Sequence, residues 1–286
     1  MIIETTEKAY AKLNISLDVA DRRDDGYHDM IMVMQSVSLC DSVRIEVDSS
    51  GVFSASTNFR YIPSGEKNLA VKAAMRFFSE IGDQKSGAKI SIKKHIPVGS
   101  GMGGGSSDAA AVLRALNRIN GNLFSVKKLA ELGADVGSDV PFCVYGGTAL
   151  AKGRGELLTP LKPMPKCWFV ICKPSFSIST PELFKKLDCV SSRHHPDTAG
   201  ILDGINAGDL GAICRRMYNV FEEVDDRRMT SIREIKSKLI DLGAMGAVMT
   251  GSGSALFGIF DSEAKALAAE SAMRTELLFA VTATPL

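Results

Sequence analysis

Residues 97–108, Pro-Val-Gly-Ser-Gly-Met-Gly-Gly-Gly-Ser-Ser-Asp, place five glycines directly in front of an alanine-rich run. No other stretch constrains the fold as strongly. The apolar alternation over residues 89–96 predicts a strand leading in, and Ser106 or Ser107 followed by Asp108 predicts a helix N-terminus leading out. Glycine accepts positive φ and lacks a Cβ, so successive backbone N–H groups can turn toward one ligand. A helix start adds unpaired donors at the positive end of its dipole. A strand, a glycine loop and a helix in this order form an anion cradle, with phosphate as the expected guest and a plain turn as the alternative.

Three phosphate-loop types share such glycine density. A Walker-type loop ends in Gly-Lys-Ser/Thr, which sets an ammonium on the β and γ phosphates, but no Lys follows Gly105. Gly99, Gly101 and Gly104 satisfy G-x-G-x-x-G, the spacing of a dinucleotide fold. The flanks oppose that reading. Lys89, Ser91 and Lys93 alternate with Ile90 and Ile92 as in a half-exposed antiparallel strand, whereas a doubly wound parallel strand is apolar on both faces. A second helical stretch, residues 125–132, also stands where the next strand and its acidic end are required. The H-R-D and D-F-G signatures that accompany a protein-kinase glycine loop are absent.

The rest of the chain predicts an α+β protein with a mainly antiparallel or mixed sheet. Over residues 9–19 an apolar face alternates with Tyr10, Lys12, Asn14, Ser16 and Asp18. Lys12 and Asn14 therefore point the same way, about 7 Å apart along a strand. They touch one ligand if that face lines a cleft and are solvated otherwise. Asp25-Gly26 marks a hairpin turn handing Tyr27 and His28 to a strand at 30–37, with a separate strand at 43–47. Residues 67–81 carry apolar positions at helical spacing. Gly137-Ser-Asp-Val-Pro-Phe142 sets Asp139 in a turn, which suits a capping role or a catalytic acid.

Residues 150–165, rich in Gly, Lys, Arg and Pro, predict the crossing between a domain at 1–155 and a second at 156–286. Beyond it the expected elements are a strand at 167–172, a short helix at 181–187, helices at 201–205, 209–217 and 226–242, and strands at 247–249 and 255–260 around the glycine turn 250–254. A helix at 262–274 and a strand at 279–282 close an order that fits a split βαβ sandwich.

The 286 residues, 45% hydrophobic and 23% charged, suffice for one large or two ordinary domains with a sizeable core. A net charge of +1 gives no reason to expect a nucleic-acid or anionic-membrane surface. Cys40, Cys143, Cys167, Cys172, Cys189 and Cys214 lack C-x-x-C pairing and read as reduced core thiols. His194-His195, without a Cys or carboxylate at ligand spacing, reads as surface. No leader-like apolar region or membrane-spanning run is recognised, so a cytoplasmic location is expected.

In order along the chain, Ala11-Lys12-Leu13-Asn14, Asp25-Gly26-Tyr27-His28, the stretch 97–108, Gly137-Ser-Asp-Val-Pro-Phe142 and Gly251-Ser-Gly-Ser254 resemble the motifs of the GHMP small-molecule kinases. The resemblance spans most of the chain and is weakest over 189–229. It implies a two-domain α+β fold, with an N-terminal ribosomal-protein-S5-like ATP-binding domain and a C-terminal ferredoxin-like split βαβ domain. It also implies ATP-dependent phosphorylation of a small alcohol. The Asp-Gly-Tyr-His segment resembles the branch that phosphorylates the 2-hydroxyl of a cytidine-diphosphate-linked methylerythritol on the non-mevalonate route to isoprenoids.

By the same resemblance Lys12 and Asp139 are the catalytic pair. Pro97, Val98, Gly99, Ser100, Gly101, Met102, Gly103, Gly104, Gly105, Ser106 and Ser107 wrap the triphosphate. Mg²⁺ accompanies it, near Ser106 or Ser107, with Glu131 as an acidic candidate and the ligands left open. Asn14, Tyr27, His28 and Phe184 bind substrate, and Phe176 is the rival aromatic. The expected partner is that small molecule alone, bound by a monomer or homodimer. A kinase for another alcohol and a non-catalytic nucleotide-binding protein of the same fold are the alternatives. Tyr27-His28 argues against the first, and Lys12 together with Asp139 against the second.

Overall fold

The computed structural model describes residues 3–22, 26, 28–190 and 193–286, with the backbone alone at 21 and 22. Two compact units are assembled from interleaved segments. The first comprises Met1–Ala11, Leu39–Ile96 and Gly103–Gly146, and the second Lys12–Ser38, Pro97–Met102 and Gly147–Leu286. Two long strands, β1 (Ile3–Arg22) and β2 (His28–Asp48), contribute residues to both. β1 extends the expected strand at each end. β2 merges the two strands expected at 30–37 and 43–47, because no glycine or proline interrupts residues 38–42.

In the first unit β3 (Phe53–Thr57) pairs in parallel with β4 (Gly87–Lys93), and β4 pairs antiparallel with Ser42–Asp48 of β2. Burial alternates along β4, as its Lys/Ile alternation requires. Helix α1 (Leu69–Glu80) begins at Asn68, whose side chain accepts the Ala70 N–H. It packs on α2 (Gly104–Ile119), and both helices carry buried apolar residues, among them Val71, Ala74 and Phe77 on α1 and Val112, Leu113 and Leu116 on α2. Helices α3 (Val126–Ala134), capped by Ser125, and α4 (Val140–Tyr145) complete this unit.

α2 starts earlier than the serines suggest. Gly103, at φ 68°, occupies the N-cap with no side-chain bond. The hydroxyl of Ser107, one of the two serines expected at the helix start, donates to the Tyr10 carbonyl at 2.7 Å. The serine is thus engaged by β1 and does not occupy the cap.

In the second unit β5 (Thr148–Lys152) pairs antiparallel with β2 and with β6 (Leu157–Pro160), so part of 150–165 is a hairpin. β7 (Trp168–Lys173) is followed by α5 (Thr180–Leu187), α6 (Thr198–Ala207) and α7 (Leu210–Cys214). β8 (Tyr218–Asn219) then lies parallel to β1 through the Ser16–Tyr218 and Leu17–Asn219 pairs, and a 3₁₀ turn covers Val220–Glu223. Neither is readable from periodicity, being two and four residues long. α8 (Arg228–Asp241), β9 (Gly246–Met249), β10 (Leu256–Phe260), α9 (Glu263–Arg274) and β11 (Phe279–Ala283) close the chain. The sheet order β11-β7-β10-β9, antiparallel throughout, is that of a split βαβ sandwich, with Phe169 and Phe257 meeting edge-on in its core.

The core-thiol reading holds for Cys143, Cys167, Cys172 and Cys214 and fails for exposed Cys189 and partly exposed Cys40. Burial pushes the thiols of Cys167, Cys172 and Cys214 up to about 12. Among the described residues no helix is long and apolar enough to cross a membrane.

Candidate functional site

In the second unit, Lys12 and Asn14 sit on β1 at 4% and 0% exposure. The reading of their face as solvated is thereby overturned, since Leu13 and Ile15 on the opposite face are buried as well. A buried ammonium and amide require partners. Lys12 Nζ donates to Asn14 Oδ1 at 2.7 Å, and the Asn14 N–H donates to Thr250 Oγ1 at 3.0 Å. The Lys12 N–H donates to the Met102 carbonyl at 3.1 Å, tying the strand to the glycine-rich segment.

Pro97–Met102 belongs to the same unit and is seated on the turn 250–254. Gly101, at φ 77°, approaches so closely that a Cβ there would stand 2.2 Å from the Thr250 carbonyl oxygen. The Ala255 N–H donates to the Ser100 carbonyl at 3.1 Å. The late glycine turn, which reads as a bland hairpin, is therefore the support of the loop. Two residues that carry no motif hold that turn: Asn219 Nδ2 donates to the Met249 and Gly251 carbonyls at 2.7 and 2.8 Å, and Glu222 accepts the Met249 N–H at 2.8 Å.

The remainder of the glycine stretch, Gly103 to Ser107, belongs to the first unit. α2 runs for 16 residues from a start whose cap offers no side-chain acceptor. Its leading N–H groups and its dipole suit a phosphate oxygen, so the residues present fit a triphosphate. Gly105 is exposed and Gly104 half-buried. Asp139 stands half-buried at the N-cap position of α4 without capping it by its side chain, and its carbonyl accepts the Cys143 N–H. The expected turn is present at Ser138 and Asp139 and runs directly into α4, while the capping role of the Asp139 side chain is not taken up.

Two of the residues named for Mg²⁺ are engaged elsewhere or exposed. The Ser107 hydroxyl is engaged by the Tyr10 and Gly103 carbonyls, and Glu131 is exposed on α3. Among the described residues no three His, Cys, Asp or Glu side chains cluster for a metal.

His28, at the start of β2, is buried and stacks on Phe184 of α5, with ring centroids 4.9 Å apart at 24°. Its Nε2 lies 2.7 Å from Asp188 Oδ1 at the C-cap of α5. Phe221 meets the Phe184 ring edge-on at 4.9 Å. Phe184 and not Phe176 is thus the aromatic beside His28; the Phe176 carbonyl accepts from Lys173 and Ser254. One face of Phe184 is covered by His28 itself. Tyr27 lies outside the described residues. α5 is tied down by Asp226, which takes Lys186 Nζ at 2.7 Å and the Arg228 guanidinium at 2.6 Å. Arg228 holds the Asp226 carboxyl far below the usual carboxylate range. His194 and His195 are exposed and pair with Glu223 and Asp18.

A family model for the GHMP kinase N-terminal domain matches residues 68–147, and one for the GHMP kinase C-terminal domain matches residues 201–277. The chain is 44% identical over 254 residues to the 4-diphosphocytidyl-2-C-methyl-D-erythritol kinase of Clostridium perfringens (strain SM101 / Type A), covering 89% of this chain and 88% of that one. It is 43% identical over 259 residues to the enzyme of the same name from Geobacillus thermodenitrificans, covering 90% and 89%. A crystal structure of 4-(cytidine 5'-diphospho)-2C-methyl-D-erythritol kinase superposes with a TM-score of 0.82 at 32% identity, covering 98% and 99%. The homoserine kinase of Cytophaga hutchinsonii, at 19% identity and a TM-score of 0.78 over 100% and 94%, shares the fold alone. With both domains matched and these relatives aligned over nearly its whole length, the chain belongs to the GHMP kinases.

Proposed function

We propose that this protein transfers the γ-phosphoryl group of ATP to the 2-hydroxyl of 4-diphosphocytidyl-2-C-methyl-D-erythritol, a step in isoprenoid supply. The observation that carries the reading is the buried Lys12–Asn14 pair, bonded to the Thr250 turn and to the Met102 carbonyl, in a chain 44% identical to kinases of that substrate. Asp139 accepts the proton of the attacking hydroxyl. Lys12 keeps that carboxylate ionised and neutralises charge near the transferred group, and Asn14 orients the alcohol. Gly99 to Ser107 hold the triphosphate through backbone N–H groups, the positioning work that dominates phosphoryl transfer. Mg²⁺ would supply charge neutralisation there, and its ligands are not assigned to any residue.

The cytosine is read at Tyr27, His28 and Phe184; the reading is supported by the His28–Phe184 stack, which gathers two of these rings at one place. The division into an ATP-binding domain at 1–155 and a C-terminal domain at 156–286 is supported by the two family matches, which fall on either side of it. A small-molecule kinase of net charge +1 needs no nucleic acid or membrane, and works in the cytoplasm as a monomer or homodimer.

Coupled ADP release, measured with the purified cytidylyl substrate, homoserine and mevalonate in parallel, tests the reading. Turnover with the cytidylyl alcohol alone is expected. Turnover with one of the other alcohols in its place overturns the substrate assignment.

A further inference from the structure

Beneath the start of α2 lies a cluster of three buried charged side chains that the phosphoryl-transfer reading does not use. Lys94, Asp41 and Asp108 are 7%, 0% and 4% exposed. Lys94 follows β4 directly, Asp41 lies within β2, and Asp108 is the fifth residue of α2. Lys94 Nζ donates to Asp108 Oδ2 at 2.6 Å and, on its other side, to Asp41 Oδ2. The second oxygen of Asp41 accepts the backbone N–H groups of His95 and Ile96. A Cβ on Gly104 would lie 3.3 Å from Lys94 Nζ and 3.2 Å from Ile96 Cγ2, so the first turn of α2 rests on the cluster.

Stability does not explain this arrangement. Removing each charge from water costs several kcal/mol, and well-packed apolar replacements of buried ion clusters are often neutral or stabilising. The ammonium also sits at the positive end of a helix dipole, the unfavourable end for a cation. Asp108 Oδ1 is buried without a hydrogen-bond partner, which is a further cost. What the cluster does provide is geometry. Asp41 fixes residues 94–96, the entry to the glycine-rich segment; Asp108 fixes its exit; and one ammonium joins the two.

We infer that Lys94, held between Asp41 and Asp108, is a positioning residue for nucleotide binding, clamping both flanks of the glycine-rich segment so that its N–H groups stay aimed at phosphate. The inference rests on the reading of that segment as the ATP site. A preorganised loop loses little conformational freedom on binding, and a slack one loses affinity.

The test uses ADP and CDP as separate probes of the two substrate sites, by titration calorimetry, with amide hydrogen exchange as a second readout. Lys94→Met should weaken ADP binding tenfold or more, leave CDP binding within about twofold, and speed exchange at residues 95–96 and 103–107. Because Lys94→Met strands two buried carboxylates, the neutralised variant D41N/K94M/D108N is measured beside it. It should melt near the wild-type temperature yet bind ADP as poorly. Wild-type ADP affinity in either folded variant, or an equal loss for ADP and CDP, overturns the clamp. Failure of the wild type itself to bind ADP overturns the ATP reading and the clamp with it, and so is distinguishable from failure of the clamp alone.

Discussion

At the scale of single residues, the proposed chemistry rests on few groups, and each can be separated from its neighbours by measurement. Asp139→Asn keeps the shape of the side chain and removes its basicity. We expect kcat to fall by roughly 10²–10⁴ with ATP-analogue affinity within a few-fold, and near-normal turnover would remove Asp139 from the role of base. Phe184→Ala should raise KM for the cytidylyl substrate, because base stacking is worth about 1–3 kcal/mol, while KM for ATP stays unchanged. Equal effects on both substrates would mean that the ring only packs against His28 and Phe221. Asp108 makes a third case. Burial, reinforced by Asp41 and opposed by Lys94, pushes its carboxyl up to about 7, against about 3.9 in an unfolded chain. A folded pKa above the unfolded one contributes stability that is complete below the unfolded value and is lost as pH rises through 7. Wild-type Tm should therefore fall between pH 5 and 8 by more than that of Asp108→Asn. A constant difference between the two melts across that window would contradict the assignment. Lys12, Asn14 and Asp139 stand out in the sequence as candidates because their motifs are local. Asp41, Lys94 and Asp108 were not, because residues 53 and 14 positions apart become a cluster only through folding.

At the scale of elements, the glycine-rich segment has two halves with different requirements. In the half seated on the Thr250 turn, Gly101 combines positive φ with a would-be Cβ 2.2 Å from a carbonyl oxygen. Gly101→Ala should cost about 1–3 kcal/mol in strain alone, lower Tm and raise KM for ATP together. In the helical half, Gly105 is exposed and a Cβ there would meet only Leu69 Cδ1 at an ordinary 3.5 Å. Gly105→Ala should raise stability by up to about 1 kcal/mol through helix propensity, yet weaken nucleotide binding by blocking close approach of phosphate to the backbone. Thermal melts and ADP titration on the same preparation check both. A rise in Tm with unchanged ADP affinity would move the phosphates away from Gly105. Most element types were legible from period and caps: Ser125 starts α3 as its position suggests. Local rules place the start of α2 too late, because a serine before an alanine run is a good cap by those rules, and only the fold shows the Ser107 hydroxyl committed to Tyr10.

At the scale of the whole molecule, burial sorts the six cysteines. Native-state alkylation with iodoacetamide near pH 8 should mark exposed Cys189 first and Cys40 slowly, while Cys167, Cys172 and Cys214, buried and with raised thiol pKa values, react only after unfolding. Early labelling of Cys172, at the centre of the antiparallel sheet between β10 and β11, would mean that this sheet opens readily. The sequence by itself determined what depends on neighbours along the chain. Strand and helix periods, the glycine loop with its strand before and helix after, and the split βαβ order are written in spacing and backbone sterics, and the local motifs carry the resemblance to the GHMP kinases. The tertiary structure alone decided what depends on which distant segment covers a face. It buried Lys12 and Asn14 on a strand that alternation marks as half-solvated, ran β2 through as one strand, set Asn219 and Glu222 behind the Thr250 turn, and closed Lys94 between two carboxylates. Alternation reports that one face of a strand differs from the other; whether the polar face meets water or protein is settled only when the chain has packed against itself.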